Sequence, residues 1–136
     1  MSSEEDILKT YRVVAIVGAS ANPDRPSYEV VSYLMEQGYT VIPVNPSVKE
    51  VLGKKSYASL GDIPQEMEVV DIFRKAEDVI PIVEEAIKIG AKAIWMQEGI
   101  VNQAAAAKAR AAGLLVVMDK CMRKEHLQLS KHRQSI

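Results

Sequence analysis

The sequence predicts an α/β protein: a single Rossmann-like domain whose helices cover both faces of a doubly wound parallel sheet of about five strands, giving three layers. Short β-branched, apolar runs, typical of strands buried on both faces, alternate with amphipathic segments that end at a glycine. This alternation implies right-handed βαβ crossovers and therefore a parallel sheet. The chain has 136 residues, 48% of them hydrophobic, which suits one core without a separate catalytic domain.

The first part of the chain predicts a β–α–β unit. Residues 13–17, V-V-A-I-V, form the first predicted strand because they are apolar and mostly β-branched. Ser27 offers an N-cap hydroxyl for the helix that follows, and Gly38 fits the end of that helix. Residues 39–44 form the second predicted strand, which runs into Asn45-Pro46.

The middle of the chain is less regular. Residues 46–64 show no clear periodicity, which predicts a long loop with one short helical turn near residues 59–62. Residues 68–73 are mostly apolar, with Asp71 among them, and form the third predicted strand. The amphipathic segment 77–89 predicts a helix that has Pro81 in its first turn, where a missing N–H is tolerated.

The last elements repeat the same order. Residues 93–96 form the fourth predicted strand, and Asn102 is suited to cap an alanine-rich helix over residues 103–112. Residues 114–118 form the fifth predicted strand, and residues 122–130 a final helix.

Domain boundaries follow from these elements. Residues 11–130 are assigned to the domain, residues 1–10 to an N-terminal extension and residues 131–136 to a tail that frays. No internal repeat or low-complexity linker separates further units. A homodimer is common among compact α/β domains, but the sequence contains no dimer motif.

Composition argues against several functional classes. The net charge is −1 and the pI is about 6.1, whereas a nucleic-acid binder carries a clear basic excess. The apolar runs are far shorter than a membrane span, and the polar, acidic N-terminus does not resemble a signal peptide. A single cysteine, Cys121, precludes an internal disulfide and fits a reducing cytoplasm. With only two histidines, no histidine-based metal site is expected.

The loop after the first predicted strand, V-G-A-S-A-N-P-D-R-P-S, has the features of an anion site. In a doubly wound sheet, ligands bind beyond the carboxyl ends of the strands, where the strand order reverses. Gly18 permits a tight turn, and Ala19 and Ser20 are small. Free amides at the start of the next helix, with its dipole, favour a phosphate. Arg25 adds a guanidinium and Ser27 a hydroxyl. The alternative is that Gly18 only ends a strand and that Arg25 is a solvated surface residue.

The loop after the second predicted strand bears on which nucleotide is bound. NAD-binding folds usually carry an acid here for the ribose diol, and this chain has Asn45 instead. Lys49, Lys54 and Lys55 follow, which favours a ligand with more phosphate than NAD. An Asn-Pro turn, with the asparagine bonded to its own backbone, is an equally valid interpretation of Asn45.

Five motifs together resemble those of a known family. They are G-A-S-x-x-P-x-R-P-S, G-Y-x-V-I-P-V-N-P, V-D-I-F-R, A-I-W-M-Q-E-G-I and V-V-M-D-K-C-M, one at each predicted strand. The chain resembles the small bacterial and archaeal CoA-binding proteins. Their fold is similar to the N-terminal, CoA-binding domain of the succinyl-CoA synthetase alpha subunit. The resemblance extends from Tyr11 to Leu129.

The resemblance implies a ligand, coenzyme A (CoA) or an acyl-CoA, and a set of residues around it. For the CoA phosphates they are Gly18, Ala19, Ser20, Arg25, Pro26 and Ser27. For the adenosine and its 3′-phosphate they are Asn45, Pro46 and Lys49, and for the adenine or the diphosphate they are Phe73 and Arg74. The synthetase turn T-E-G-I, which lies near the ligand, corresponds to Gln97, Glu98 and Gly99, with glutamine where the synthetase has threonine.

The resemblance implies binding and not ligase chemistry. The synthetase carries its phosphorylated histidine in a second domain, and this sequence has no counterpart of that domain. His126 and His132 match nothing catalytic, so no catalytic residue is predicted.

Cys121 is a candidate thiol site. It follows the fifth predicted strand, at the sheet edge where ligands bind. Under oxidation it would form a mixed disulfide with CoA or with a second chain. The other interpretation is a small, semi-buried hydrophobe, which is the usual state of a free cysteine.

The sequence therefore predicts a protein that binds CoA or acyl-CoA without turning it over, and an acyl-CoA enzyme is one candidate partner. Three alternatives stay open. The first is an NAD(P)-binding protein. The second is a CoA-dependent transferase fragment or a CoA-linked redox protein that acts through Cys121, and the third is an interaction module with a vestigial pocket. They differ in which nucleotide stabilises the fold and in whether any turnover occurs.

Overall fold

A computed structural model describes residues 2–134, with side chains described as far as Lys131. Its centre is a parallel sheet of five strands in the order β2-β1-β5-β6-β7. A separate hairpin pairs β3 with β4. The strands are β1 (Val13–Val17), β2 (Thr40–Val44), β3 (Glu50–Val51), β4 (Lys54–Lys55), β5 (Val69–Ile72), β6 (Ala93–Met96) and β7 (Leu115–Val117).

Helices cover both faces of the large sheet. They are α1 (Ser3–Thr10), α2 (Pro26–Glu36), α3 (Val79–Lys88), α4 (Gln103–Ala111) and α5 (Met122–Gln134). Buried side chains of α1, α2 and α5 pack on one face, and those of α3 and α4 on the other. The prediction of a three-layer, doubly wound α/β domain is confirmed, and both faces of the sheet are buried, as its apolar strands require.

Several local predictions are confirmed by the structure. The side chain of Asn102 caps α4, since its Oδ1 accepts a 2.9 Å hydrogen bond from the amide of Ala105. Pro81 lies in the first turn of α3, and a short 3-10 turn occupies Leu60–Asp62 in the long loop. In the first turn of a helix proline loses no hydrogen bond, which explains why α3 tolerates it.

The prediction that Ser27 caps α2 is wrong. The helix begins at Pro26, and Arg25 occupies the N-cap position without a side-chain capping bond. Proline at the first helical position has its φ already set for the helix, so the helix starts two residues earlier than a Ser27 cap would place it. Ser27 is therefore buried in the first turn, where its hydroxyl accepts a 3.0 Å hydrogen bond from the amide of Ser20.

Three parts of the chain have more regular secondary structure than the sequence pattern predicts. The predicted loop after β2 contains the β3–β4 hairpin, whose turn residues Leu52 and Gly53 have φ of 51° and 79°. The predicted N-terminal extension, residues 1–10, contains α1, which buries Ile7 and Leu8 in the core. Helix α5 continues into the tail as far as Gln134, while Met1 and residues 135–136 lie outside the described part.

The described helices also bear on membrane association. Between residues 2 and 134, no helix combines the length and the apolarity needed to cross a bilayer.

Candidate functional site

Strand order reverses around β1, which lies between β2 and β5. The chain leaves β1 for β2 on one side, and later returns to β5 on the other. The loops that follow these strands separate at this point and leave a crevice beyond their carboxyl ends. The candidate site is this crevice.

A cavity of about 390 Å³ lies at the reversal, and we call it the switch-point cavity. Its lining residues come from the loops after β1, β2 and β5 and from the first turn of α2. They are Gly18, Ser20, Arg25, Pro26, Ser27, Asn45, Phe73 and Arg74. Every one of them is among the residues singled out in the sequence, so folding brings most of the predicted set together.

Gly18 fits its position because any side chain there would collide with the neighbouring loop. Its φ is +91°, and a Cβ atom would overlap the carbonyl oxygen of Phe73 and lie 3.1 Å from its carbonyl carbon. The Gly18 amide donates a 2.8 Å hydrogen bond to the carbonyl of Val44, and the Phe73 amide donates one of the same length to Val17. Gly18 thus lets the loops after β1 and β5 approach each other at the floor of the cavity.

The loop after β1 differs from the expected cradle of free amides. The Ser20 amide donates to the Ser27 hydroxyl, and the Asn22 amide donates to the Ser20 hydroxyl, each at 3.0 Å. The Asp24 amide donates to the side chain of Asn22, and the Arg25 amide donates to the backbone carbonyl of Asn22. These bonds give the loop its shape, so these amides are not free to receive a phosphate.

The positive charge of the cavity comes from Arg25 and Arg74. Arg25 is exposed and Arg74 is half-buried. Neither guanidinium has a carboxylate partner among residues 2–131, and no carboxylate lines this cavity. Because guanidinium groups bind phosphate through paired donors, the cavity is suited to an anion with several oxygens.

Asn45 joins the loops after β1 and β2. Its Nδ2 donates a 2.8 Å hydrogen bond to the carbonyl of Ala19, and its Oδ1 accepts one of 2.9 Å from the amide of Ser47. Both ends of the side-chain amide are therefore bonded to backbone, which supports the structural interpretation of Asn45. It still lines the cavity, as a neutral group where NAD-binding folds carry an acid.

Two smaller cavities adjoin the switch-point cavity. The Gln97 cavity, about 280 Å³, is lined by Pro26, Phe73, Arg74, Gln97, Glu98 and Ile100. The Glu85 cavity, about 180 Å³, is lined by Val17, Val44, Pro46, Ala58, Ser59, Leu60, Arg74, Ile82 and Glu85. Arg74 lines all three, so the cavities are grouped around its side chain, and we call the three together the groove.

The remaining predicted residues lie outside these linings. Ala19 is fully buried in the core, and Lys49 is exposed on the loop after β2. Gly99, at φ +83°, donates a 2.7 Å hydrogen bond to Asp119 and so ties the loops after β6 and β7 together. Ile82, Val17 and Val44 of the Glu85 cavity were not predicted, because apolar residues there give the same sequence signal as core. Glu85 was not predicted because a charged residue in an amphipathic helix is typical of a solvated face.

Two buried side chains carry polar atoms without a hydrogen-bond partner in the described structure. Asp71 is fully buried in β5, opposite Ile16 and Trp95 in the sheet register. Both its carboxyl oxygens are unpartnered, as is Oε1 of Gln97, which is 6% exposed. Burial raises the pKa of Asp71 well above its ordinary value, and the Ile72 amide opposes this shift without forming a hydrogen bond of good geometry.

Cys121 follows the carboxyl end of β7 and is buried. Its side chain is 5% exposed and packs with the residues under α1, α2 and α5. It lines none of the three cavities. Its environment is therefore that of a small buried hydrophobe.

Fold and cavity define a class: a doubly wound α/β domain with a groove at its topological switch point. The chain belongs to the CoA binding domain family, whose model matches residues 12–127. It is 36% identical over 122 residues to the uncharacterized protein YneT of Bacillus subtilis, and the match covers 90% of each chain.

Other relatives include ligase subunits. The chain is 44% identical over 62 residues to the alpha subunit of acetate–CoA ligase [ADP-forming] II from Pyrococcus furiosus. That match covers 45% of this chain and 14% of the subunit, so it concerns a small part of the ligase.

Solved structures share the whole fold. A hypothetical protein from Pyrococcus horikoshii has a TM-score of 0.91 at 46% identity, over 95% of this chain and 92% of its own. The cell-free ID.343 protein from Thermus thermophilus has a TM-score of 0.89 at 33% identity, over 95% of this chain and 99% of its own.

Proposed function

We propose that this protein binds CoA or an acyl-CoA, with the ligand phosphates in the switch-point cavity. The observation that carries the proposal is that Arg25 and Arg74 line the same cavity and that no carboxylate lines it. Their guanidinium groups supply the charge and the donors that a diphosphate requires. The start of α2 adds the positive end of a helix dipole next to Arg25.

The adenosine is assigned to the side of the groove formed by the loop after β2. Pro46 and the apolar residues of the Glu85 cavity offer a surface for the flat base, and Arg74 adjoins it. Lys49 is exposed on the same loop, so its long side chain is available for the 3′-phosphate from outside. The pantetheine arm of CoA is assigned to the Gln97 cavity, which Arg74 also lines.

Recognition, and not turnover, is the proposed activity. The switch-point cavity has two serines, and each hydroxyl already accepts a hydrogen bond from a loop amide. No histidine, cysteine or carboxylate lines this cavity to activate either of them. We expect acyl-CoA to leave the protein unchanged, and a partner enzyme that makes or uses acyl-CoA in a reducing cytoplasm to supply any chemistry.

A thermal-shift and calorimetry panel of CoA, acetyl-CoA, 3′-dephospho-CoA, NAD and NADP tests the proposal. A ligand present at a hundred times its dissociation constant stabilises a fold by about 2.7 kcal/mol. We expect CoA and acetyl-CoA to stabilise the protein, 3′-dephospho-CoA to do so less, and NAD to have no effect. Stabilisation by NAD or NADP without any by CoA would replace this proposal with the dinucleotide alternative.

A further inference from the structure

Glu85 of α3 holds the short 3-10 turn Leu60–Asp62 and keeps one carboxyl oxygen unused. Its Oε1 accepts a 3.1 Å hydrogen bond from the amide of Leu60. Its Oε2 lies beside Gly61, where an added Cβ atom would be 3.4 Å from it. Among residues 2–131 this second oxygen has no hydrogen-bond or ion-pair partner. One half of the carboxylate is therefore structural, and the other half is available.

The available oxygen is accessible at the wall of the Glu85 cavity. Glu85 is half-buried and lines this cavity. Its Oε2 is not one of the fully buried polar atoms without a partner, which belong to Asp71 and Gln97. An ionised carboxylate is purely an acceptor, and the bond to Leu60 fixes its orientation. Glu85 thus presents a positioned acceptor to a group that enters the cavity.

The rest of this lining contains no other charged acceptor. The Ser59 hydroxyl donates a 3.1 Å hydrogen bond to Oδ2 of Asp62, and Arg74 carries donors only. The apolar residues of the lining are Val17, Val44, Pro46, Ala58, Leu60 and Ile82. A flat ligand group with apolar faces and an N–H donor at its edge matches this distribution.

Adenine has this chemistry, because its exocyclic amine is a donor at the edge of a flat ring. We propose that Glu85 is a specificity-determining residue whose Oε2 accepts a hydrogen bond from the exocyclic amine of adenine. This inference rests on the proposed function, which assigns the base of CoA to this cavity. A ligand without the amine would cover the carboxylate and leave it without a partner, so the site would discriminate against it.

Calorimetry with two ligands tests this contact. They are CoA and 6-desamino-CoA, in which hydrogen replaces the exocyclic amine of the base and nothing else changes. We expect the wild-type protein to bind CoA about tenfold more tightly than the analogue. This factor is at the lower end of the range for a hydrogen bond to a charged group, because Glu85 is only half-buried.

The Glu85→Gln variant isolates the acceptor. Its Oε1 continues to receive the Leu60 amide, while an NH2 group takes the place of Oε2, so the preference for CoA over the analogue should disappear. Glu84→Gln is the matched control. It removes the same charge from an exposed neighbour on α3, whose carboxylate lies 2.7 Å from Nζ of Lys108, and it should keep the tenfold preference.

The outcomes distinguish this inference from the CoA proposal. A wild-type protein that binds the analogue as tightly as CoA would overturn the role of Glu85 while CoA binding stands, and this comparison requires no variant to fold. A Glu85→Gln variant that binds both ligands more weakly by the same factor would identify Glu85 as a support of the Leu60 turn alone. A wild-type protein that binds neither ligand would remove the CoA proposal, and the inference with it.

Discussion

The backbone of Gly18 lies so close to the carbonyl group of Phe73 that no room is left for a Cβ atom. Gly18 belongs to the loop after β1 and Phe73 to the loop after β5, so this contact joins the loops on the two sides of the strand reversal. Both residues line the switch-point cavity. The floor of the candidate site therefore depends on a backbone contact that only glycine permits.

Gly18→Ala is expected to destabilise the protein by about 2–5 kcal/mol, because it combines a left-handed backbone with an overlap that the Phe73 loop must relieve. Urea unfolding measures the change. Gly38→Ala is the matched control: its φ is +90°, but nothing lies within 4 Å of the added Cβ. The control should lose only about 1–2 kcal/mol from backbone strain. Equal losses in the two variants would show that the contact with Phe73 is unimportant.

Arg25→Ala is expected to weaken CoA binding by about 10- to 100-fold, the effect of losing charge-assisted hydrogen bonds to phosphate. The free energy of unfolding should change by less than about 0.5 kcal/mol, because the side chain is exposed and has no ion-pair partner in the described structure. Calorimetry and urea unfolding measure the two quantities. Arg110→Ala, at an exposed arginine on α4, should change neither. A loss of stability as large as the loss of binding would identify Arg25 as structural.

Asp71→Asn is expected to change how stability depends on pH. The ordinary pKa of aspartate is 3.8, and burial raises the pKa of Asp71 well above it in the folded state. At a pH between the ordinary pKa, which applies to the unfolded chain, and the raised pKa of the folded protein, Asp71 has lost its proton in the unfolded chain and keeps it in the folded protein. The stability of the wild-type protein therefore falls as pH rises, by up to about 1.4 kcal/mol per pH unit from this group.

The measurement for Asp71 is urea unfolding of both proteins from about pH 4 to about pH 7. The variant cannot ionise at this position, so its stability relative to wild type should increase steadily with pH. Taking the difference removes the contribution of all other titrating groups. A difference that stays constant across this range would mean that Asp71 titrates normally in the folded protein.

Cys121 is expected to behave as a buried thiol. Because it is 5% exposed, a thiol reagent should modify it slowly in the native protein and rapidly in denaturant. Mass spectrometry of protein purified without reductant should show the unmodified mass. A CoA adduct or a disulfide-linked dimer would instead support the redox alternative.

The sequence alone determined the strands, most helices and the loops that carry the site. Apolar, β-branched runs specify strands buried on both faces, and the parallel topology then brings the loops after them to one edge. For this reason the loops around the switch-point cavity were identifiable from the strand pattern, whereas Phe73 and Arg74 were named only because the family resemblance implied them. Helix α1 also has a local signal, because Ser2 and Glu5 have the S-x-x-E spacing of a capping box. In the structure the Ser2 hydroxyl accepts a hydrogen bond from the amide of Glu5.

Tertiary structure alone decided how those loops are bonded and which polar groups stay unpaired. Folding brings the Ser27 hydroxyl to the amide of Ser20, and it brings the side-chain amide of Asn45 to the carbonyl of Ala19. The β3–β4 hairpin turns at Leu52-Gly53, and Leu52 has positive φ at the position where asparagine, aspartate or glycine is usual. Burial of Asp71, Gln97 and Cys121 depends on helices far away in the chain. Contacts between residues distant in sequence leave no local pattern, so their consequences are visible only once the sheet is assembled.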